Sequence, residues 1–169
     1  YPLPEAQLDR FLLRLRLGYP SLADEIRVMD DQQLQHPFET LKPVVTLKAI
    51  QQAIAAVKRV YISQAIKKYI VELTTRTRQS ADVYLGASPR GSLFLARAGQ
   101  ARAALMGRDH VLPDDIKALA VSVLAHLMIV SPAARMRDLS SDRIVHEVIL
   151  ATPVPGGAFS FDIARKISK

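Results

Sequence analysis

The sequence contains no cysteine. Disulfide staples, thiolate metal sites and cysteine nucleophiles are therefore excluded together, and a cytoplasmic location is allowed and expected. No apolar run reaches the roughly 18 residues that a membrane helix needs, and Tyr1-Pro2-Leu3-Pro4-Glu5 lacks the basic-then-apolar order of a signal peptide, so no membrane contact is expected. Aromatics are scarce at 6%, and Tyr61, Tyr69 and Tyr84 fall mostly at helical spacing rather than forming a row on which bases could stack. Catalytic signatures are missing as well. There is no G-x-x-x-x-G-K-[ST] phosphate loop, no apolar strand ending in paired acids, no H-E-x-x-H and no G-x-S-x-G. By itself the chain is expected to catalyse little.

What is present is a composition suited to one sizeable core: 169 residues, 49% hydrophobic and 23% charged, which argues against a disordered or low-complexity chain. A chain that opens on Tyr rather than Met is expected to be a piece of something longer. The net charge of +7 is local, because residues 19–41 carry −4 and residues 42–108 carry +10. A basic strip of that kind can bind nucleic acid, line a phosphate cleft, or meet an acidic neighbour, but most are solvated helix faces, so nucleic acid is not expected as a partner.

Periodicity predicts a short helical turn from Glu5 to Phe11, then a strand over residues 12–17, where Leu13-Arg14-Leu15-Arg16-Leu17 alternates strictly. Ser21-Leu22-Ala23-Asp24 has the form of a capping box and opens a helix to about Leu34. His36-Pro37 breaks it, and Gln35 to Val45 is the best linker candidate. The rest reads as helical. Thr46 caps a helix with Leu47, Ile50, Ile54, Val57 and Tyr61 on one face, and a second follows with Ile62, Ile66, Tyr69, Ile70 and Leu73. Ser80 to Ala87 reads as a loop. Ser88-Pro89 then starts a helix to about Met106, where Gly107 stops it. Pro113-Asp114-Asp115 starts another, with Ile116, Leu119, Ala120, Val123 and Leu127 inward, and a final helix spans Asp142 to Leu150. The fold class is mainly α, a helical bundle.

Candidate chemistry is sparse. His36, His110, His126 and His146 lack metal-ligand spacing and read as structural or surface histidines. Asp114-Asp115 resembles a catalytic pair, but adjacent helix residues diverge, and capping explains acids at a helix start. Two arginines differ from the rest. Arg10, in Leu8-Asp9-Arg10-Phe11, is held between apolar neighbours directly before the expected strand. Arg90 lies in the first turn of the helix opened by Ser88-Pro89, where orphan N–H groups and the positive dipole end already attract an anion. For each, a phosphate contact and a structural salt bridge both remain open.

These residues resemble a known family, the MoxR-type ATPases of the AAA+ class. Tyr1-Pro2-Leu3-Pro4-Glu5-Ala6-Gln7-Leu8-Asp9-Arg10-Phe11 is similar to the segment after the family's sensor 1 strand. Gly86-Ala87-Ser88-Pro89-Arg90 is similar to its sensor 2 motif, and Gly107-Arg108-Asp109-His110-Val111-Leu112-Pro113-Asp114-Asp115-Ile116 to the stretch that follows. The resemblance implies that residues 1–40 are the last strand and helix of an α/β P-loop ATPase core, residues 41–150 the α-helical lid, and residues 151–169 a tail. It implies Arg10 as an arginine finger acting on a neighbour's ATP, and Arg90 as sensor 2, with Gly86, Ser88 and Pro89 shaping its approach. Whether Arg90 serves its own subunit or the next stays open. The same resemblance implies a parent chain that uses ATP and Mg²⁺ in a homo-oligomeric ring, a hexamer, and remodels client complexes, often for metal cofactor insertion with von Willebrand factor A-domain partners. This segment, lacking the phosphate loop, is not expected to bind nucleotide tightly. The pattern departs from the family's at Ala125-His126-Leu127, where His is usually followed by Arg, which bears on contacts at the lid surface. The tail after Pro155 has no match. The alternative function is a freestanding basic helical module for nucleic acid or an acidic protein.

Overall fold

The computed structural model describes residues 5–33 and 36–155. Residues 1–4 of the first motif, the expected helix end at Leu34, the linker start at Gln35 and the tail beyond Pro155 lie outside the described residues. The elements are α1 (Glu5–Leu8), α2 (Leu22–Gln32), α3 (Leu47–Val57), α4 (Gln64–Gln79), β1 (Val83–Leu85), α5 (Pro89–Leu105), α6 (Pro113–Leu124), β2 (Ile129–Val130), α7 (Pro132–Arg135) and α8 (Ser141–Ala151), with 3₁₀ turns at Pro37–Thr40 and Ala125–Leu127. They divide into two compact units. One is Leu15–Ala55, and the other joins the described residues up to Arg14 with those from Ala56 onward.

In the Leu15–Ala55 unit, side-chain caps define the helix starts. The Asp24 N–H donates to Ser21 Oγ, whose hydroxyl donates back to the Asp24 carboxylate at 2.6 Å, and the Ala49 N–H donates to Thr46 Oγ1. His36 does more than break the chain: its Nδ1 accepts from the Phe38 N–H and opens the 3₁₀ turn inside the expected linker. Neither α2 nor α3 has a buried residue.

The second unit holds the core. α4 supplies Ile66, Tyr69, Ile70 and Leu73; α5 supplies Leu95, Ala98 and Ala103; α6 supplies Ile116, Ala120, Val123 and Leu124; α8 supplies Ile144, Val145 and Val148. Gly99 lets α5 and α6 close up, because a Cβ there would stand 2.7 Å from Ile116 Cδ1. This is the helical bundle that the spacing predicts, with differences that have local causes. Residues 12–17 form no strand: the Arg14 N–H donates to the Ser122 carbonyl, Leu13 packs on the core, and Leu15 and Leu17 are exposed. Alternation prepares a strand but does not make one without a paired neighbour. Tyr61 and Ile62 fall between helices rather than on them. Ser63 starts α4 by accepting from the Ile66 N–H, while the Tyr61 N–H and C=O bond to Asp109 and Val111. The expected Ser80–Ala87 loop contains β1, which pairs antiparallel with β2 through Val83↔Val130 and Leu85↔Ile129. Leu127 sits in the 3₁₀ turn after α6, not on it.

Candidate functional site

The turn that carries Arg90 is fixed from below by the end of α4. The Ala87 N–H donates to Thr77 Oγ1 at 3.1 Å, and Arg78 Nε–H donates to the Ala87 carbonyl at 2.6 Å. Gly86 permits this approach. A Cβ there would lie 2.6 Å from Arg78 Cα and 2.7 Å from Arg78 N, which are backbone atoms that cannot swing aside. Pro89 occupies the first turn of α5, and Ser88 is its extended N-cap residue, although the Ser88 hydroxyl makes no capping bond. One turn further, the Thr74 and Ser92 hydroxyls bond at 2.8 Å. Arg90 therefore leaves a turn held on several sides, at the positive end of a long helix.

Its guanidinium has a partner. Arg90 Nη1 donates to Asp9 Oδ2 at 2.7 Å and to the Asp9 carbonyl at 3.3 Å. Arg10 follows directly in the chain, is exposed, and has no ion-pair partner among the described residues. The two arginines singled out by the sequence, far apart along the chain, are thus one residue from contact within a single compact unit. The Asp9 and Arg90 side chains keep 39% and 48% of their exposure, and ion pairs this open are worth about 0.2–1 kcal/mol. Hydrogen bonds to a charged acceptor contribute roughly 1.5–3 kcal/mol each when better placed, so a phosphate can take Arg90 from Asp9 at small cost.

The Arg10 segment is tied to the bundle at further points. His126 Nε2 lies 2.8 Å from the Phe11 carbonyl, an acceptor only, so Nε2 carries the proton. Arg14 pairs with Asp142 at 2.8 Å. Beside these ties is a cleft of about 910 Å³ lined by Asp9, Arg14, Arg78, Gly86, Ser88 and His126 among others. Of the five candidate residues, Gly86 and Ser88 line it, whereas Arg10, Pro89 and Arg90 do not.

The carboxylate pair resolves into two unlike residues. Asp114 is exposed and meets Lys117 at 3.3 Å. Asp115 is buried, accepts from the Leu112 N–H at 2.9 Å as the helix-start reading expects, and also receives Arg108 through two bonds of 2.6 and 2.7 Å, with Arg102 Nε at 3.3 Å. Burial alone would raise the Asp115 carboxyl. The Arg108 and Leu112 hydrogen bonds and the two arginine charges outweigh it, holding the group below the ordinary carboxylate value. This network absorbs two cations of the basic segment, and Glu72 takes a third, Arg76. Of the histidines, His36 and His126 have the structural contacts given above, and His110 bonds Asp109 at 2.8 Å. Among the described residues no group of three or more His, Asp or Glu side chains is disposed to hold a metal ion, and no helix is long and apolar enough to cross a membrane.

The AAA lid domain family matches residues 75–148. The chain is 47% identical over 155 residues to YeaC of Bacillus subtilis, an uncharacterised protein, covering 92% of this chain and 48% of that one. It is 28% identical over 164 residues to the chaperone MoxR1 of Mycobacterium tuberculosis, covering 92% of this chain and 43% of the relative. Among solved structures, a crystal structure described as a candidate ATPase from Cytophaga hutchinsonii superposes with a TM-score of 0.82 at 30% identity, over 91% of this chain and 49% of the other. The chain spans about half the length of the curated relatives it matches.

Proposed function

We propose, for a chain that belongs to the MoxR family of AAA+ proteins and carries the family's helical lid, that its full-length protein is an ATP-hydrolysing, chaperone-like remodelling factor assembled as a ring. In this reading Arg10 is the arginine finger and Arg90 the sensor 2 residue, with Gly86, Ser88 and Pro89 holding the turn from which Arg90 projects. The observation that carries it is the 2.7 Å Asp9–Arg90 ion pair. That pair ties the turn carrying Arg90 to the residue beside Arg10, and on this reading both arginines act on the nucleotide of the neighbouring subunit.

The residues present fit the phosphate end of ATP. The Arg90 guanidinium, at the start of a long helix, offers planar, charge-assisted donors, and the Asp9 carboxylate on it stands where a phosphate oxygen would sit, with Arg10 exposed one residue further along the chain. ATP supplies the transferable γ-phosphoryl group, and this chain contributes positive charge where negative charge develops. A hexameric ring, von Willebrand factor A-domain partners, client complexes that receive metal cofactors and a cytoplasmic setting complete the proposal.

The test is ATP hydrolysis by the full-length protein across concentrations that span assembly. Arginine fingers supplied in trans contribute on the order of 10³ to 10⁵ in rate in GTPases. Arg10→Ala should lower turnover by a comparable factor while ATP binding changes little, and Arg90→Ala should lower both. Wild-type turnover in assembled Arg10→Ala rings would refute the finger assignment.

A further inference from the structure

We propose that His126 is a positioning residue for Arg10, holding the finger segment against the lid through the carbonyl of Phe11. The proposal rests on the reading of Arg10 given above, and adds to it a named residue by which the lid sets the finger's place.

The turn around Arg10 is anchored on both sides. Upstream, the Arg10 N–H donates to Gln7 O and the Phe11 N–H to Leu8 O, each at 3.1 Å, so the backbone winds off α1 in a closed turn. Downstream, the first carbonyl after Arg10 is that of Phe11, and it accepts from His126 Nε2–H at 2.8 Å. His126 belongs to the 3₁₀ turn that ends α6, and its exposure is only 9%. The bond therefore joins the end of a core helix to the residue adjoining the finger, across 115 positions of sequence.

Packing alone does not call for a histidine here. Both neighbours, Ala125 and Leu127, are buried and apolar. His126 Nδ1 is buried with no hydrogen-bond partner, and an unpaired buried polar atom is costly relative to an apolar side chain of similar size. An apolar residue would fill the turn without that penalty. What it would lose is the side-chain donor that reaches the Phe11 carbonyl. The other ties of the segment lie further off or open to solvent: the Arg14 N–H bonds Ser122 three residues beyond Phe11, and the Asp9–Arg90 and Arg14–Asp142 pairs are partly exposed.

The experiment uses the full-length protein in assembled rings, comparing wild type, Arg10→Ala, His126→Leu, His126→Gln, His126→Asn and the Arg10→Ala/His126→Leu double variant. A misplacement of about 1 Å can cost up to about 10² in rate. His126→Leu is expected to lower kcat about tenfold or more with KM for ATP unchanged, and His126→Gln, whose amide N–H can reach where Nε2–H did, to recover most of the loss. His126→Leu should add nothing to Arg10→Ala, because a residue that acts through Arg10 has nothing left to position. A residue that merely stabilises the lid would give independent, multiplying losses, and that result overturns the proposal. So does near-wild-type turnover for His126→Leu while Arg10→Ala is inactive, which leaves the finger reading intact. Wild-type turnover for Arg10→Ala overturns both. If the Leu variant does not assemble, the amide pair decides: an active Gln ring with an inactive Asn ring supports the role, and equal activities refute it.

Discussion

Replacing Asp115 with Ala removes the acceptor for Arg108 and for one backbone N–H at the start of α6, and the opposite charge beside Arg102. Deleting one partner of a buried ion pair costs about 3–5 kcal/mol, because the remaining charge is left uncompensated. The side chains of Arg108 and Arg102 keep 24% and 37% exposure, so water can recover part of their solvation, while Asp115 itself is only 3% exposed. Taken with the lost helix-start bond, about 1 kcal/mol, the expected destabilisation is about 3 kcal/mol. For chains of this size each kcal/mol moves Tm by roughly 2–4 °C, so a fall of about 6–12 °C follows. Urea unfolding followed by circular dichroism at pH 7 measures the difference. The same experiment repeated in acid checks the cause. The Asp115 carboxyl is held below its ordinary value in the folded chain. Its contribution is therefore fully present above the unfolded carboxyl value of about 4 and is lost as pH falls through the folded one. The gap between wild type and variant should narrow over that window. A loss below about 1 kcal/mol at pH 7, or a gap that does not respond to acid, would refute the account of Asp115 as a buried charge compensated by Arg108, Arg102 and Leu112.

Two more substitutions test the packing around the site. Tyr69 is almost fully buried and its hydroxyl has no partner among the described residues, with burial pushing its ionisation upward. Tyr69→Phe removes an unpaired polar atom and should stabilise the chain by about 1 kcal/mol; a lower Tm would mean that the hydroxyl is satisfied in solution. Gly86→Ala forces a Cβ onto the backbone of Arg78. The turn must shift, at a cost of about 1–3 kcal/mol, and because that turn leads into Arg90, nucleotide affinity of the full-length protein should fall along with Tm. An unchanged affinity would separate the turn from the site.

The parts of the fold that depend on neighbours in sequence were legible. Ser21 and Thr46 mark helix starts because capping uses residues three apart, Pro113 because its ring suits the first helical position, and Gly107 ends α5 with a positive φ of 71° that other side chains resist. Pairings across long intervals were not. β1 is three residues whose partner lies beyond α5 and α6, and nothing in Val83-Tyr84-Leu85 announces Ile129 and Val130. Residues 12–17 show the converse, a strand pattern with one backbone bond to α6 in place of a ladder. The motif resemblance singles out Arg10 and Arg90, while the pairing of Asp9, the residue before Arg10, with Arg90 is visible only in three dimensions. The departure at Ala125-His126-Leu127 bears on the interior rather than on the lid surface. All three residues are buried, so an arginine at 127 would place an ionised group in the core, while His126 remains available to Phe11.

The contacts that hold the Arg10 segment differ in strength. Asp9–Arg90 and Arg14–Asp142 are partly exposed pairs, each worth no more than about 1 kcal/mol and weakened by salt. The Phe11 carbonyl meets a buried imidazole, and the Arg14 N–H meets a core-helix carbonyl, contacts that salt barely affects and that neither charge nor phosphate displaces. On the proposed reading, a phosphate arriving at Arg90 breaks only the weak pair. Asp9 is released, while Arg10 stays on a backbone held by His126 and Ser122. Exchange at Arg90 and retention of Arg10 therefore use different bonds, which lets one side chain report the nucleotide without loosening the other. If both were held by the same exposed pair, high salt would abolish finger and sensor together. Holding them separately predicts that salt first weakens the tie on Arg90 and leaves the Arg10 backbone in place.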